Sequence, residues 1–397
     1  MIRLDDGVMK NTLIAPLPPI KSISPYCLNL ARELAKKVEL QVIGFKSIIP
    51  EVFYSGGSVE KETAFRGIPN VKIQNIINWY NPFTWIIASL KAEGDIVHIQ
   101  HWATYSSIFY CIMMPVLKIR NKKIVITIHN ITPHMTNKWF VFADKIVNKM
   151  IFPFASVFIV HNQRNKDKLM NLYIMNEENI FIISHGAMLP EIMQNISKKK
   201  ARESLGIPIK NKSLLFFGYI WRYKGLDTLL YAFNLVHKDI PESTLLIAGE
   251  LVHGSKEWNE YEKIIQTYSL QPFILKKIEY IPESEIEIYF SASDLVVLPY
   301  QEPFDTHGGI AALAIAFKKP LVVTDIGGSP EYVKDTRVIS KPNDAEGLAK
   351  NIIRVLQDKQ LYAKLSKDSK ERAQELTWDT IAQKTVSIYQ NLMNKKD

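Results

Sequence analysis

A turn with two cations carries the clearest chemical signal in this sequence. Residues 214–217 form an apolar run, typical of a strand buried on both faces, and Gly218, Arg222 and Lys224 follow it directly. A helix is predicted over residues 227–236, so that its amino-terminal dipole adds to the two positive side chains. We therefore expect this turn to bind an anion that carries phosphate.

A second strand, loop and helix follow further along the chain. Residues 295–298 predict another buried strand, and the glycines of the loop after it allow a ligand to approach the backbone closely. In an open parallel sheet, the loops at the carboxyl ends of strands form the binding crevice. The candidate ligand-binding residues of this loop are Glu302, Asp305, Thr306, His307, Gly308 and Gly309.

Strands and helices alternate along the chain, which predicts an α/β protein with doubly wound parallel sheets. The first set of predicted strands spans residues 12–15, 40–45, 95–99, 124–128, 157–160 and 180–183, with a helix over 25–37. The second set spans residues 214–217, 244–248, 277–280, 295–298, 321–324 and 337–339. Because 397 residues exceed what one hydrophobic core serves, we expect two Rossmann-like domains that face a central cleft.

Composition restricts the class of protein. No run of about 18 apolar residues is present and the first residues are polar, so neither a membrane-spanning helix nor a secretory signal is predicted. Cys27 and Cys111 are typical of reduced thiols, which favours a cytoplasmic location. The net charge of +9 favours an anionic partner, but a lysine-rich composition alone gives the same value. No nucleic-acid-binding motif is present.

Four segments resemble the GT-B glycosyltransferases of family 4, which are retaining and metal-independent. They are Ile-Ile-Ser-His-Gly-Ala at 182–187, Phe-Phe-Gly-Tyr-Ile-Trp-Arg-Tyr-Lys-Gly-Leu at 216–226, Leu-Ile-Ala-Gly-Glu at 246–250 and Lys-Pro-Leu-Val-Val-Thr-Asp-Ile-Gly-Gly-Ser-Pro-Glu at 319–331. The resemblance implies an acceptor-side domain at 1–188 and a donor domain at 189–377. A last helix, about 378–397, would cross back onto the first domain.

The resemblance also implies roles for individual residues. Lys224, with Arg222 as a displaced second cation, would neutralise the diphosphate of a nucleotide sugar, and His129 would lie near the donor sugar. The family's first acidic position falls on Glu302 or Asp305. Its second falls on Leu313, which cannot accept a hydrogen bond from ribose. The implied catalytic residues are His129, Lys224 and Glu302, and the implied donor-binding residues are Gly218, Arg222, Lys224, Glu250, Glu302, Asp305, Thr306, His307, Gly308 and Gly309.

The function implied by this resemblance is that of a retaining hexosyltransferase. It would move a sugar from a UDP- or GDP-sugar to a glycan or a lipid-linked glycan, with no metal and no other cofactor. Two alternatives stay open: a non-hydrolysing nucleotide-sugar epimerase, and a non-catalytic, transferase-like sugar-binding subunit. Leu313 and the lack of a glycine-rich loop after the first strand motivate the non-catalytic alternative, whereas Lys224, Glu302 and His129 argue against it.

Two further features allow more than one interpretation. His98 and His101 stand three residues apart, but a strand places them on opposite faces and no cysteine or carboxylate completes a metal site. Residues 135–154 mix aromatic side chains with lysines. They predict either a helix that rests on anionic lipid, which would make the protein peripheral on the cytoplasmic face of a membrane, or a core-packed helix with a solvated lysine face.

Overall fold

The computed structural model describes residues 3–4, 7–18, 23–47, 67–102, 104–131, 138–187, 189, 193–251, 255–302 and 308–394. The chain divides into two compact units. The first unit consists of Met1–Gly186 and Thr377–Asp397, and the second unit is Ala187–Leu376. The boundary predicted from the sequence falls after residue 188, two residues later. Each unit is built on a parallel sheet, which confirms the predicted α/β class with two doubly wound domains.

The first unit has a seven-stranded parallel sheet in its described part, in the order β5-β4-β3-β6-β7-β8-β9. A two-stranded antiparallel hairpin, β1 with β2, precedes it. The strands are β1 Arg3–Leu4, β2 Gly7–Val8, β3 Lys10–Ile14, β4 Glu39–Ser47, β5 Lys72–Asn78, β6 Ile96–His101, β7 Lys123–Ile128, β8 Val157–Val160 and β9 Ile180–Ile182. Central strands such as β7 and β8 are β-branched and buried, as a sheet covered on both faces requires.

Helices cover both faces of this sheet and form two hydrophobic cores. The helices of the first unit are α1 Ser24–Ala35, α2 Phe83–Lys91, α3 Thr104–Ile119, α4 Lys138–Ile151, α5 Gln163–Leu172 and α13 Trp378–Asn394. One core contains buried residues of α2, α3 and α4. The other contains buried residues of α1 and of the chain's last helix, α13, which packs against α1.

The second unit has a six-stranded parallel sheet in the order β12-β11-β10-β13-β14-β15, counted over its described residues. The strands are β10 Lys212–Phe217, β11 Ser243–Ala248, β12 Ile274–Lys277, β13 Leu295–Leu298, β14 Leu321–Thr324 and β15 Ile339–Ser340. The helices are α6 Lys198–Leu205, α7 Leu226–Asp239, α8 Ser255–Thr267, α9 Glu283–Ala292, α10 Gly309–Ala316, α11 Ala345–Gln357 and α12 Lys359–Glu375. The Ser197 side chain caps the start of α6, and Gly206 ends it at φ +69°.

Two strand predictions differ from the structure, and the sequence analysis predicts no strand where β5 lies. The strand expected at 277–280 lies at Ile274–Lys277, because its pairing ends where Ala248 ends the neighbouring strand β11. At 337–339, the Asp335 carboxylate accepts a hydrogen bond from the Arg337 amide, so a 3-10 turn precedes the short strand β15. The edge strand β5 is only partly buried, and it therefore lacks the apolar run that marks the other strands.

Over the part of the chain that the structure describes, no helix is both long enough and apolar enough to cross a membrane.

Candidate functional site

The order of strands in the second unit places two loops at a topological switch point. From β10 the chain continues to β11 and β12 on one side, and β13 to β15 lie on the other side. In such sheets, ligands bind at the carboxyl ends of the two strands where the order reverses. Those strands are β10 and β13, and the loops that follow them are the two in which the sequence predicts an anion site.

Close backbone packing joins the loop after β10 to the loop after β11. The Gly218 amide donates to Ala248 O (3.0 Å), and the Ile220 amide donates to Glu250 O (2.8 Å). Gly249 adopts φ +155°, and a Cβ atom on it would lie 1.8 Å from Gly218 O. Only glycine permits this approach. The structure thus brings Gly218 and the exposed Glu250 to adjacent loops.

A second glycine presses the cationic turn against the loop after β13. Residues Arg222–Lys224 form one 3-10 turn, and Gly225 then begins α7 with φ +70°. A Cβ atom on Gly225 would lie 1.9 Å from Pro299 O. The Gln301 amide donates to Tyr223 O (2.7 Å), which fixes the two loops to each other.

Replacing Gly225 tests how tightly these loops fit. We expect Gly225→Ala to lower the free energy of unfolding of the second unit by about 3 kcal/mol, because left-handed strain and the clash with Pro299 O add up. Gly206→Ala is the matched control: Gly206 has φ +69°, but nothing lies within 4 Å of an added Cβ, so the loss should be about 1 kcal/mol. Urea unfolding measures both, and equal losses would contradict the close packing.

Gln301 is a structural link that sequence reasoning missed. Its side-chain amide donates to Asp227 Oδ1 (2.9 Å) and to Thr228 Oγ1 (2.8 Å), both on the first turn of α7. The only signal in the sequence is a polar residue beside Pro299 in a loop already expected to bind ligand. Gln301 holds the start of α7 against the loop after β13, and it therefore positions the adjacent Lys224.

Lys224 is the cation that the structure places at the switch point. Its Nζ lies 3.9 Å from the ring centroid of the buried Tyr300 and 5.5 Å from that of the partly buried Tyr223, a cation–π arrangement. The side chain is only partly exposed, and burial lowers the pKa of Lys224 to about 7. An ammonium that has lost much of its hydration is strongly stabilised by a hydrogen bond to a phosphate oxygen, which replaces the lost water.

Arg222 points away from this position. Its guanidinium lies 3.4 Å from Glu260 Oε2, and both side chains are largely exposed. Arg222 lines a surface groove between α7 and α8 together with Asp227 and Glu257. The structure thus pairs the second predicted cation with a carboxylate of α8, and a phosphate role for Arg222 would require it to leave Glu260.

The amino end of α10 supplies a second anion-binding element. Gly308 precedes the helix, and a Cβ atom on Gly218 would lie 3.2 Å from Ile310 Cδ1, so the first turn of α10 contacts the Gly218 loop. The Ser329 hydroxyl is fully buried and has no hydrogen-bond partner among the described residues. It would lie 3.2 Å from a Cβ atom on Gly308. Helix amides and a buried hydroxyl are groups that can donate hydrogen bonds to an anion.

The remaining predicted donor residues divide into two groups. Glu302 is exposed at the end of the described loop, and Gly309 has open space around its Cα. Asp305, Thr306 and His307 lie outside the described residues. Leu313 is buried in the core of the second unit, so the position expected for a ribose-binding glutamate packs as an apolar side chain. Ser329 was missed as a contact, although it lies in the matched segment at 319–331.

Five histidines of the first unit are buried. Two lie within β6, and the other three follow β7, β8 and β9. His101 Nε2 contacts Ser107 Oγ (2.8 Å) and Asn148 Oδ1 (3.2 Å) rather than another histidine. We call His98, His101, His129, His161 and His185 the histidine cluster. His129 Nε2 lies 2.8 Å from Gln100 Oε1, and His129 Nδ1 lies 3.0 Å from His161 Nε2. His129 is therefore occupied at both ring nitrogens, and a contact with a sugar would require it to release one partner.

Burial determines the charge of this cluster. It lowers the pKa of His98 and His185 to about 3 and that of His101 and His161 to about 4, and it holds the pKa of His129 well below its ordinary value. All five are neutral at pH 7. Across the described residues, no group of three or more His, Cys, Asp or Glu side chains is arranged to hold a metal ion.

Comparisons with known proteins follow the same division of the chain. A family model described as Glycosyltransferase Family 4 matches residues 23–188, and one described as Glycosyl transferases group 1 matches residues 197–372. Together they cover most of both units, and their boundary falls where the units divide.

Individual relatives are distant in sequence. A D-inositol 3-phosphate glycosyltransferase of Corynebacterium aurimucosum is 24% identical over 259 residues, which cover 64% of this chain and 61% of that protein. An uncharacterized glycosyltransferase of Methanocaldococcus jannaschii is 23% identical and covers 95% of this chain and 97% of its own. The solved structure of Anabaena HepE in complex with UDP is 17% identical, with a TM-score of 0.73 over 96% of this chain and 100% of that one.

Proposed function

The chain belongs to glycosyltransferase family 4 and has the GT-B fold, and we propose that it transfers a sugar from a nucleotide diphosphate-sugar to a glycan or lipid-linked glycan. The observation that carries this proposal is Lys224, held on Tyr300 at the switch point of the second sheet. UDP is the preferred donor nucleotide, since a structural neighbour binds it.

In the proposed reaction, the glycosidic bond to the diphosphate breaks while the acceptor hydroxyl attacks the anomeric carbon. The diphosphate leaves with the bonding electrons, and its growing charge is stabilised by the Lys224 ammonium, the first amides of α10 and the Ser329 hydroxyl. We propose that transfer proceeds with retention, because departing phosphate and incoming hydroxyl share one face of the sugar and the phosphate takes the acceptor proton. We propose that no metal is needed, because the Lys224 ammonium neutralises the diphosphate charge. Glu302 is proposed to hold the donor sugar.

Two classes of acceptor are consistent with the proposed transfer. One relative acts on D-inositol 3-phosphate, so a phosphorylated polyol is a second acceptor class to test beside lipid-linked glycans. We propose that the protein works in the cytoplasm as a peripheral enzyme at the membrane face where such lipid acceptors are present.

A donor and acceptor screen tests the proposal. The purified full chain is incubated in EDTA with UDP- and GDP-sugars, with and without a membrane-lipid extract or inositol phosphate, and release of nucleoside diphosphate is followed. Acceptor-dependent release with a retained anomeric configuration supports it. Epimerised nucleotide sugar would replace it by the epimerase alternative, and thermal stabilisation by donor without any turnover would replace it by the sugar-binding subunit.

Ser329 provides a prediction in which stability and binding change in opposite directions. Ser329→Ala removes a buried hydroxyl that has no partner, so the free energy of unfolding should stay equal or rise. The same change removes one hydrogen bond to a charged diphosphate, which should weaken UDP binding roughly tenfold to a hundredfold. Calorimetry with UDP and urea unfolding measure the two effects.

Ser213→Ala is the matched control for this experiment. Ser213 is also fully buried, and its hydroxyl has no hydrogen-bond partner among the described residues. It lies near the amino end of β10, away from the carboxyl ends of the strands. We expect a similar effect on stability and no effect on UDP affinity. Equal UDP affinity in Ser329→Ala and the wild type would remove Ser329 from the site.

A further inference from the structure

The outward face of α2 is apolar although it is exposed to solvent. Phe83, Ile86, Ile87 and Leu90 recur at helical spacing on this face, and Phe83 is 75% exposed. The opposite face, with Trp85 and Ala88, packs into the core of the first unit. A helix that is apolar on both faces has a second surface to cover.

The two helices beside α2 continue this surface. α2 packs against α3, and α3 packs against α4. On α3 the side chains of Ile108 and Ile119 are exposed, and on α4 those of Phe142, Ile146 and Met150 are exposed at four-residue spacing. The core-packed interpretation of this segment thus describes only one face of α4. We call the outward faces of α2, α3 and α4 the three-helix surface.

Charged side chains on the three-helix surface are of one sign. Lys91, Lys118, Lys145 and Lys149 are exposed, whereas α2 and α3 contain no acidic residue. The single acid of α4, Asp144, is buried and accepts a hydrogen bond from Asn148 Nδ2 (3.0 Å). An apolar surface that carries only cations is complementary to an anionic lipid headgroup layer and not to a typical protein surface of mixed charge.

We propose that the three-helix surface docks the first unit onto an anionic lipid bilayer. The exposed apolar side chains enter the boundary between headgroups and acyl chains, and the lysines contact the lipid phosphates. This inference identifies the surface through which the proposed peripheral enzyme would contact the membrane. Its biological purpose rests on the proposed function. Its physical basis is the surface alone, so it is tested without donor or acceptor.

The test is sedimentation of the full chain with vesicles of phosphatidylcholine and phosphatidylglycerol (7:3 by composition) or of phosphatidylcholine alone. The variants are Phe83→Ser with Leu90→Ser, and Lys145→Gln with Lys149→Gln. The matched controls are Ile209→Ser and Lys210→Gln, which change an exposed apolar and an exposed basic residue of the second unit. All six replaced side chains are exposed, so each variant should fold normally.

Wild type and controls should bind the anionic vesicles and bind phosphatidylcholine weakly. The double apolar variant should lose at least about tenfold in vesicle affinity, and the double lysine variant roughly 25-fold, as about 1 kcal/mol per lysine implies. Equal binding by variants and wild type, or no binding by wild type, would overturn the proposal. So would a concentration-dependent dimer that Phe83→Ser dissociates, since the surface would then belong to a second copy.

Failure of this inference is distinguishable from failure of the proposed function. UDP affinity, measured in the absence of lipid, depends on the second unit and should be the same in all these variants. Loss of vesicle binding with retained UDP affinity concerns only the three-helix surface. Vesicle binding without any UDP affinity would contradict the transferase proposal and leave the surface intact.

Discussion

Lys224→Ala is expected to lower kcat for sugar transfer by roughly 100- to 1000-fold, with little change in folded protein. The ammonium lies over the Tyr300 ring at the switch point, where the leaving diphosphate gains charge as the glycosidic bond breaks. Removing a preorganised charge from a site with little water is costly, because neither solvent nor another side chain can replace it at the moment of reaction. Steady-state kinetics of nucleoside diphosphate release measure the effect.

The pH dependence of diphosphate affinity distinguishes the effect of the Lys224 charge from the effect of its packing. Burial lowers the pKa of Lys224 to about 7 in the free protein, so the ammonium loses its proton as pH rises through 7. Diphosphate affinity should therefore fall between pH 6.5 and 8.5, and Lys224→Arg, which stays charged, should abolish that decline. Lys238→Ala, an exposed lysine at the end of α7, is the matched control. Near-normal turnover of Lys224→Ala would exclude the phosphate role.

The sequence predicts the strands of the second unit well because they depend on local patterns. Apolar runs identify β10 and β13 as buried strands, and a parallel sheet brings the loops that follow such strands to one edge. Gly225 and Gly249 lie where the backbone approaches a neighbouring loop closely, at Pro299 O and Gly218 O. Spacing in the sequence is sufficient for these features, since strand, loop and helix are contiguous in the chain.

The features that sequence reasoning misses depend on contacts between distant segments. Gln301 acquires its role from Asp227 and Thr228, more than seventy positions earlier in the chain. The hydroxyl of Ser329 becomes significant only because burial leaves it without a partner. The direction of Arg222 depends on Glu260 of α8. Each case requires the tertiary structure, because residue type alone states neither the neighbour nor the exposure of a side chain.

The role of His129 illustrates the limit of a family resemblance. The resemblance implies that His129 contacts the sugar, and that role stays a prediction. The structure shows the ring hydrogen-bonded to Gln100 and His161 within the first unit. Tyr26 packs edge-on against the His129 ring, with centroids 4.6 Å apart. A sequence pattern identifies the strand end at which a histidine lies, but it does not show which buried side chains hydrogen-bond to that histidine.

Acid should unfold the first unit well before the second. The five pKa values in the histidine cluster are lowered on folding, so the unfolded chain binds more protons as pH falls below about 6.5. Stability is therefore full above pH 6.5 and is lost as pH falls toward the folded-state values. Each histidine removes about 1.4 kcal/mol per pH unit, and five together remove roughly 7 kcal/mol at pH 5.5.

That loss is comparable with the whole stability of a typical domain, about 5–15 kcal/mol, so the first unit should unfold between pH 6 and 5. In the second unit, arginine and lysine partners lower the pKa of Asp335, and ion pairing lowers that of Asp294, so their stabilising effect is lost only at more acidic pH.

Hydrogen exchange measured by mass spectrometry at pH 7, 6 and 5 follows each unit separately. His98→Asn should reduce the pH slope by one proton, whereas His237→Asn, which changes a partly buried histidine of the second unit, should leave the first unit's midpoint unchanged. Simultaneous unfolding of both units below pH 4 would show that the histidine cluster accepts protons without losing its packing.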